Sequence, residues 1–274
     1  MRALAAFRNA GVTCDAVLTE RAGHASSIAG ELGHLYEAVF TLGGDGTVLE
    51  VVGALAHTGI PVGVLPGGTG NLIARVLGIP MGIERAVRAL VAGTPRRIDL
   101  GRTTDGRYFA FAAGVGIDAS MVLETTSSRK RRLGVAAYVI SATIASLRLE
   151  RFSVVTTVDG VTRRFDSALV MVANFGSVLN DLIRLGPGIV EDDGRLDLCV
   201  FSPRHLGDAL RIAWRIMRKD FRPDPCLYFA QGTQIRIETL PPRLMQADGE
   251  LLGMTPIQIA ADPRAATLLV PSRA

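Results

Sequence analysis

The sequence feature that most constrains the fold is a glycine-rich turn between an apolar run and an amphipathic segment. Residues 38–42 form a short apolar run, which predicts a buried parallel strand, and the turn Gly-Gly-Asp-Gly-Thr follows at 43–47. Apolar residues then recur at helical spacing over 48–56, and Thr47 and Glu50 have the spacing of a capping box. A strand, a glycine turn and a helix in this order direct backbone N–H groups at one point, which suits a phosphate group.

A second glycine-rich turn has the same setting. Apolar residues 61–65 predict another short strand, Pro-Gly-Gly-Thr-Gly-Asn occupies 66–71, and a short helix is predicted from Leu72 to Leu77. One such turn alone is equally typical of an ordinary strand-to-helix connection. Two turns at the carboxyl ends of successive strands favour a single ligand crevice, on which polar side chains of both turns converge.

The rest of the first part of the chain is predicted from helical spacing and its stop signals. We expect a helix that ends at Gly11, a short strand over 16–19, and helices over 24–35 and 82–92. Near residues 98–100 the pattern changes to alternating strands with frequent turns, which predicts a β-rich second domain. We therefore predict an α/β domain over 1–98 and a β-rich domain over 99–274, whose last strand can return to the first domain.

The second domain contains several identifiable elements. Asp159-Gly160 between two alternating runs predicts a hairpin over 152–165, and Ser202-Pro203 predicts the start of a helix that runs through Met217. Further strands are predicted at 108–113, 168–174, 195–200, near 227, 235 and 244, and at 257–260 and 268–270.

Composition excludes several classes of protein. No apolar run reaches the roughly 20 residues that span a bilayer, and the N-terminus has no signal-peptide pattern. The three cysteines, Cys14, Cys199 and Cys226, are scattered and odd in number, which favours reduced thiols in a cytoplasm over disulfides or a zinc site. Lysine occurs only at 130 and 219, so any ATP binding by the first half uses no P-loop lysine.

One dense basic run, residues 127–132, precedes an amphipathic segment over 135–147. Such a run is typical of a solvated loop, and it also suits contact with anionic lipid. The formal net charge of +4 is compatible with a membrane surface or with nucleotide phosphates. We expect no nucleic-acid partner.

The paired glycine motifs, followed by Ala74-Arg75, resemble the diacylglycerol kinase catalytic domain, a bacterial lipid-kinase group related to sphingosine and ceramide kinases. NAD kinases and phosphofructokinases share only the first motif. The likeness runs from about Thr19 to the C-terminus. It implies a Rossmann-like α/β N-terminal domain of the NAD kinase and diacylglycerol kinase type, followed by a β-sandwich C-terminal domain.

The resemblance also implies an activity, ATP- and Mg²⁺-dependent phosphorylation of a lipid hydroxyl in a cleft between the two domains. Asp45 would hold Mg²⁺ or organise the phosphates, and Glu250, helped by Asp248, would accept the proton of the attacking hydroxyl. The implied nucleotide contacts are Thr19, Gly43, Gly44, Asp45, Gly46, Thr47, Gly68, Thr69 and Asn71. The implied partner is a lipid at the membrane surface, with peripheral association of a cytoplasmic enzyme; a homodimer is left open.

Three matches to the family have alternative interpretations. The loop 190–195 matches one that holds a structural Mg²⁺ through the Asp193 carboxylate and the carbonyls of Val190 and Arg195, but an Asp-Gly hairpin has the same sequence signal. Thr19 matches a nucleotide contact or is a helix N-cap. Residues 114–118 match a segment lining the cleft or form a strand-to-helix turn.

Two departures from the family keep further alternatives open. The family begins with an earlier strand and an asparagine-proline turn, so we expect either a true start further upstream or the loss of that strand, and both would weaken ATP binding. Leu72 replaces an aspartate found in many diacylglycerol kinases and absent from sphingosine kinases. Diacylglycerol is the first expected acceptor, a sphingoid base or another lipid alcohol the second, and a catalytically impaired lipid- or nucleotide-binding relative the rival.

Overall fold

The structure is a computed structural model that describes residues 2–116, 151–178 and 183–272. The chain divides into two compact units. The first comprises residues 1–99 and 264–274, and the second comprises residues 100–263. Strands and helices alternate in the first unit and strands dominate the second, which confirms the predicted fold class.

The first unit contains five helices and a single 3₁₀ turn among the described residues. Its helical elements are α1 (Arg2–Asn9), α2 (His24–Leu32), the 3₁₀ turn (Gly33–Leu35), α3 (Asp45–Ala54), α4 (Leu72–Val76) and α5 (Ile83–Val91). Its strands are β1 (Val39–Gly43) and β2 (Val62–Pro66). They are parallel, as predicted, and Leu268 of a later strand lies parallel beside Val62.

The two strands differ in burial. Every residue of β2 is buried, as expected for a strand inside a parallel sheet. In β1 only Thr41 is buried and Leu42 is 49% exposed, so the prediction of a buried strand is wrong for β1. The reason is its position: over the described ranges 2–116, 151–178 and 183–272, β2 alone pairs with β1.

The second unit consists of strands and one described helix. Its strands are β3 (Thr94–Thr103), β4 (Tyr108–Phe109), β5 (Ala112–Gly116), β6 (Phe152–Val158), β7 (Val161–Ser167), β8 (Leu169–Ala173), β9 (Ser177–Val178), β10 (Ile183–Arg184), β11 (Leu196–Phe201), β12 (Leu227–Gly232), β13 (Gln234–Leu240), β14 (Leu244–Ala247), β15 (Glu250–Met254) and β16 (Ile257–Val270). Its helix is α6 (Leu206–Met217). Strands β3 and β16 each have residues in both units.

Two antiparallel sheets form the body of this unit. One has the order β12-β11-β8-β5-β14-β15, and in the other β16, β13, β6 and β7 pair in that order. Apolar side chains of both sheets meet in one core, for example Val172 and Leu198 from the first and Val154 and Ile237 from the second. This arrangement confirms the predicted β-sandwich.

Several element boundaries differ from the predictions. Residues 16–19 form no strand, and the predicted strand 108–113 is interrupted at residues 110 and 111. The two predicted strands at the C-terminus are one continuous strand, β16. Helix α6 begins at Leu206 and not at Pro203, because the imidazole of His205 accepts the N–H of Asp208 and provides the cap.

Two expectations lie partly or wholly outside the described residues. These are the end of the segment 114–118 and the basic run 127–132 with the amphipathic segment that follows it. Over the residues that the structure describes, no helix is long and apolar enough to cross a membrane.

Candidate active site

The two glycine turns of the first unit pack against each other through their backbones. The N–H of Gly67 donates to the carbonyl of Gly43 at 3.1 Å. A Cβ on Gly68 would lie 2.6 Å from the Cα of Gly44, and one on Gly67 would lie 2.8 Å from the N of Gly43. Only glycine permits this approach at both positions, so the turns form one backbone surface without side chains between them.

Asp45 links the two turns. It is the first residue of α3, and its Oδ1 accepts the N–H of Ile73 in α4 at 3.2 Å. Its Oδ2 faces Gly70, where an added Cβ would lie 3.0 Å away. One carboxylate oxygen thus binds helix α4, which follows the second turn, and the other lies beside a glycine of that turn, a position from which it can act on a cation or a hydroxyl group.

The second turn is held by its own side chains. The Asn71 amide accepts the N–H of Gly68 at 2.8 Å and donates to the carbonyl of the same residue at 2.7 Å. Asn71 has a φ of 48°, a left-handed conformation that asparagine tolerates well. Arg75 donates to the carbonyl of Gly70 at 3.0 Å. Asn71, a predicted nucleotide contact, therefore stabilises the conformation of the second turn through its side-chain hydrogen bonds.

The remaining predicted contacts of these turns are Gly46, Thr47 and Thr69. Gly46 and Thr47 lie in the first turn of α3, and Thr69 is exposed at the tip of the second glycine turn. The predicted capping box is wrong, since the N-cap of α3 is Gly44 and makes no side-chain bond. Thr47 is therefore not the N-cap of this helix.

Glu50 caps a different helix from the one predicted. Its carboxylate accepts the N–H groups of Gly23 at 2.8 Å and Ala25 at 3.1 Å, at the start of α2. A carboxylate at this end of a helix also interacts favourably with the helix dipole. The sequence spacing suggested a local partner, whereas the real partner lies more than twenty residues away along the chain.

Thr19 lies apart from regular structure. It is exposed in the irregular segment before α2, and the N-cap of α2 is Gly23 with a φ of 79°. The alternative that Thr19 is an N-cap is therefore wrong, and its role as a nucleotide contact stays a prediction.

Asp248 of the second unit is buried, and its carboxylate forms hydrogen bonds with backbone N–H groups. Its carboxylate accepts the three consecutive N–H groups of residues 110–112, with shortest distances of 2.6, 3.0 and 2.8 Å in chain order. Residues 110 and 111 form the break between β4 and β5, and Ala112 begins β5, so the carboxylate supplies acceptors that a sheet partner would otherwise provide. Asp248 thus attaches its own turn to the backbone of residues 110–112.

Glu250 is presented by that turn. Asp248 and Gly249 have φ values of 50° and 92° and connect β14 to β15, with Ala247 opposite Glu250. This is the two-residue hairpin expected for Asp-Gly. Glu250 is exposed, and its carboxylate forms no hydrogen bond or ion pair with any residue that the structure describes. It is free to accept a proton from a bound group.

The loop 190–195 is not a two-residue hairpin, because no strand ends directly before Asp193. The Asp193 carboxylate accepts the N–H of Arg195 at 3.0 Å and the amide of Gln231 at 2.7 Å. A carboxylate has about four acceptor sites, so these bonds leave capacity for a cation. Val190 is exposed at the start of the loop.

Asp197 lies on β11, close to this loop. Its Oδ2 is buried and has no hydrogen-bond partner among the described residues. Burial, and after it the charge of Asp193, raise the pKa of Asp197 to about 6, and the Gln231 amide opposes part of this rise. A cation beside Asp197 would offset the effects that oppose its ionisation, so the donor chemistry of this loop fits Mg²⁺. The alternation of β11 gave no sign of this, because an aspartate in a strand is usually solvated.

Comparison with known families agrees with this architecture. Residues 1–103 match the diacylglycerol kinase catalytic domain, and residues 112–270 match the YegS C-terminal NAD kinase beta sandwich-like domain. The second match by itself covers more than half of the chain. The chain therefore belongs to the diacylglycerol kinase-like family, which these two domains define. With both domains present, it is a diacylglycerol kinase-like enzyme of the lipid-kinase group.

Individual relatives cover most of the chain at moderate identity. A diacylglycerol kinase of Bacillus subtilis (strain 168) is 29% identical over 248 residues, which are 86% of this chain and 81% of that relative. The uncharacterized protein sll0036 of Synechocystis sp. is 29% identical over 238 residues, which are 85% of this chain. The chain spans about half of the length of sll0036, 54%.

Solved structures show the same fold. The structure of a candidate diacylglycerol kinase from Bacillus anthracis str. Sterne has a TM-score of 0.80 at 25% identity and covers 99% of this chain and 90% of that one. An NAD kinase from Archaeoglobus fulgidus, in complex with ATP, has a TM-score of 0.52 at 16% identity and covers 99% and 89%. The second likeness concerns the fold alone.

Proposed function

We propose that this enzyme transfers the γ-phosphoryl group of ATP to a lipid hydroxyl, with diacylglycerol as the first acceptor to test. The observation that carries the proposal is the joined pair of glycine turns, whose bare backbones meet while Asp45 spans them. A backbone surface without side chains, at the start of helix α3, suits phosphate groups. The Archaeoglobus NAD kinase, which has the same fold, was solved in complex with ATP, and this supports ATP as the donor.

In this proposal the residues of the first unit bind and orient the nucleotide. Gly43, Gly44 and Gly68 give the phosphates access to the backbone, and the exposed Thr69 offers a hydroxyl group. Thr19, Gly46, Thr47 and Asn71 complete the proposed contacts. Asp45 organises the phosphates or holds the metal ion of the nucleotide. Such positioning and charge stabilisation supply most of the catalysis of phosphoryl transfer.

The chemical step requires a proton acceptor. The lipid oxygen forms a bond to the γ-phosphorus, the bond between the γ-phosphorus and the bridging oxygen breaks, and ADP leaves. Glu250 accepts the proton of the attacking hydroxyl, and Asp248 positions Glu250 by anchoring the hairpin. General-base catalysis of this kind contributes roughly 10²–10⁴-fold.

A separate question is which lipid accepts the phosphoryl group. Leu72, which replaces a carboxylate of many diacylglycerol kinases, is buried at the start of α4, so its position offers no charge to a substrate. This leaves a sphingoid base or another lipid alcohol as the second candidate. The same assay separates them if ³²P transfer from ATP is measured to diacylglycerol, a sphingoid base and NAD in parallel.

The decisive variant is Glu250→Gln, with Glu238→Gln as a matched control. Both glutamates lie on strands of the second unit, and Glu238 pairs with Arg236 at 2.8 Å. We expect Glu250→Gln to lose at least about 100-fold in turnover with unchanged unfolding, and Glu238→Gln to keep its activity. Undiminished transfer by Glu250→Gln would remove Glu250 from the mechanism. Absence of transfer by the unmodified enzyme to every acceptor would favour a non-catalytic relative.

We also propose that the loop 190–195 binds Mg²⁺ through the Asp193 carboxylate and the carbonyls of Val190 and Arg195. The carboxylate of Asp197, which interacts electrostatically with Asp193, would add negative charge near the ion. When bound, the ion would tie the loop together and neutralise its carboxylates. Titration calorimetry and thermal unfolding with Mg²⁺ test this without any activity. We expect the unmodified protein to be stabilised by Mg²⁺ and Asp193→Asn to lose the effect; equal stabilisation of both proteins would exclude this loop.

A further inference from the structure

Helix α6 carries an exposed apolar stripe that the proposed chemistry does not use. Leu206, Leu210, Trp214 and Met217 are 40, 45, 58 and 36% exposed. At about 100° per residue these positions fall within an arc of about 80°, and the stripe is about 17 Å long. Large apolar side chains exposed in a row, rather than singly, mark an interaction surface.

The opposite face of α6 is fully engaged with the second unit. Ile212 is buried and Ile216 packs beside it, against a cluster that includes Cys199, Phe201 and Cys226. The helix is therefore held by its inner face and cannot turn the stripe inward. Its N-terminus is fixed as well, because the buried Asp208 accepts the N–H of Arg204 at 3.0 Å.

Acidic and basic side chains around the stripe differ in exposure. Residues 204–224 contain six basic residues and three aspartates. All three aspartates bind groups of the same segment: Asp208 pairs with Arg211, Asp224 with Arg211 and Arg215, and Asp220 with Arg215 and Arg222. The side chains of Asp208 and Asp224 are only 7 and 5% exposed. All three negative charges are thus paired with arginines, and two of the three aspartates lie inside.

The outward charges of this segment are positive. Arg204, Arg218, Lys219 and Arg222 are exposed, and the side chain of Arg222 is 84% exposed. The Arg218 guanidinium lies 5.7 Å from the centre of the Trp214 ring. An open depression of about 560 Å³ lies next to this pair and is lined by Trp214, Arg215, Arg218, Asp220, Arg222 and Pro223. Arg215 and Arg222 of this depression pair with aspartates, so the exposed Arg218 is the guanidinium group that suits a phosphate there.

We propose that α6 lies in the plane of an anionic phospholipid bilayer and docks this enzyme on the membrane. The stripe would enter the boundary between headgroups and acyl chains, Trp214 would lie at headgroup depth, and the flanking basic residues would contact lipid phosphates. Charge complementarity decides between occupants, because a second copy of this face would place like charges together. The inference rests on the proposed function only in that a lipid kinase needs access to a membrane.

The chain offers a direct probe, since Trp214 is its only tryptophan. Its emission should shift to shorter wavelength on vesicles of phosphatidylcholine and phosphatidylglycerol, and should shift little on phosphatidylcholine alone. Acyl-chain quenchers should reduce the emission of bound protein, and added salt should weaken binding. Vesicle sedimentation measures the affinity independently of fluorescence.

The double variant is Leu206→Asp with Leu210→Asp, and the matched control is Leu240→Asp with Leu244→Asp. Leu240 and Leu244 are 74 and 43% exposed, so the control places the same two charges on exposed leucines of the same unit. We expect the double variant to lose vesicle affinity at least about tenfold and the control to keep it. Circular dichroism and urea unfolding should show that both remain folded.

Three outcomes overturn the proposal. These are a Trp214 spectrum that ignores anionic vesicles, equal vesicle binding by double variant and control, and Trp214 emission that is already shifted in a concentration-dependent dimer, seen by sedimentation velocity. Transfer to lipid in detergent micelles, measured on the same preparations, separates this inference from the proposed function. Activity in micelles without vesicle binding would exclude docking through α6 and leave the proposed kinase activity standing. Vesicle binding without any transfer would exclude the kinase activity and leave the docking proposal standing.

Discussion

Replacing Asp248 with asparagine should destabilise the second unit although the side chain keeps its size. The residue has a φ of 50°, which asparagine tolerates nearly as well as aspartate, so the substitution changes only charge and acceptor capacity. The carboxylate has two oxygens for the three N–H groups of residues 110–112, and Oδ1 and Oδ2 both accept. An asparagine has a single acceptor oxygen and places an NH₂ group where the second oxygen was.

The magnitude follows from the orphaned donors. Oδ2 accepts from Ala110 at 2.6 Å and Oδ1 accepts from Ala112 at 2.8 Å, so either orientation of the asparagine leaves at least one of these N–H groups facing an NH₂. A buried donor without an acceptor costs about 1–3 kcal/mol, and neutralising the remaining acceptor costs about 1 kcal/mol more. The expected loss is about 2–4 kcal/mol of unfolding free energy, or about 4–16 °C in Tm for a unit of this size.

Urea and thermal unfolding measure this loss directly. Asp166→Asn is the matched control, since Asp166 is a 62% exposed aspartate of the same unit that pairs only at the surface with Arg151. The control should change stability by less than about 0.5 kcal/mol. If Asp248→Asn unfolds at the same urea concentration as the unmodified protein, the carboxylate does not hold residues 110–112, and the anchoring of the Glu250 hairpin is refuted.

Three further predictions concern the caps, the glycine turns and the charged segment beside α6. Glu50→Ala should cost about 1–2 kcal/mol in urea unfolding, because two N–H groups at the start of α2 lose their acceptor; an unchanged midpoint would contradict this. Gly68→Ala should weaken ATP binding in calorimetry, since its Cβ would lie 2.6 Å from the Cα of Gly44; unchanged affinity would show that the turns can separate. Burial raises the pKa of Asp224, but one backbone N–H and two guanidinium groups lower it more, so its net shift is downward. Its stabilisation is therefore present above the ordinary carboxyl pKa and is lost as the pH falls through the lower folded value. Asp224→Asn should flatten the acid limb of stability against pH, and an identical acid limb would exclude this role.

Local patterns predicted the elements well where neighbours in sequence decide them. The predicted hairpin at Asp159-Gly160 has the positive φ values that its sequence demands. The two glycine turns follow parallel strands, as the apolar runs before them indicated. In each case the necessary information lies within a few residues, because turn geometry and strand propensity are local properties.

Long-range partners could not be predicted in the same way. Glu50 has the spacing of a local cap and instead caps α2, while the predicted strand 16–19 is irregular because no described strand pairs with it. A strand needs a partner for its backbone groups, and propensity alone does not provide one. Asp197 was missed for a related reason, since its neighbours Ala173 and Gln231 lie on two other strands, β8 and β12.

The order of most helices and strands, the two glycine turns and the membership of a lipid-kinase family could thus be inferred from the amino-acid sequence. The role of each polar side chain became visible only in the folded protein. The structure shows that Asp248 holds backbone while Glu250 two residues later is exposed, and that the apolar residues of α6 are divided between the core and the surface. The physical reason is that turn and helix signals depend on adjacent residues. Burial and hydrogen-bond partners depend on residues that come together only when the chain folds.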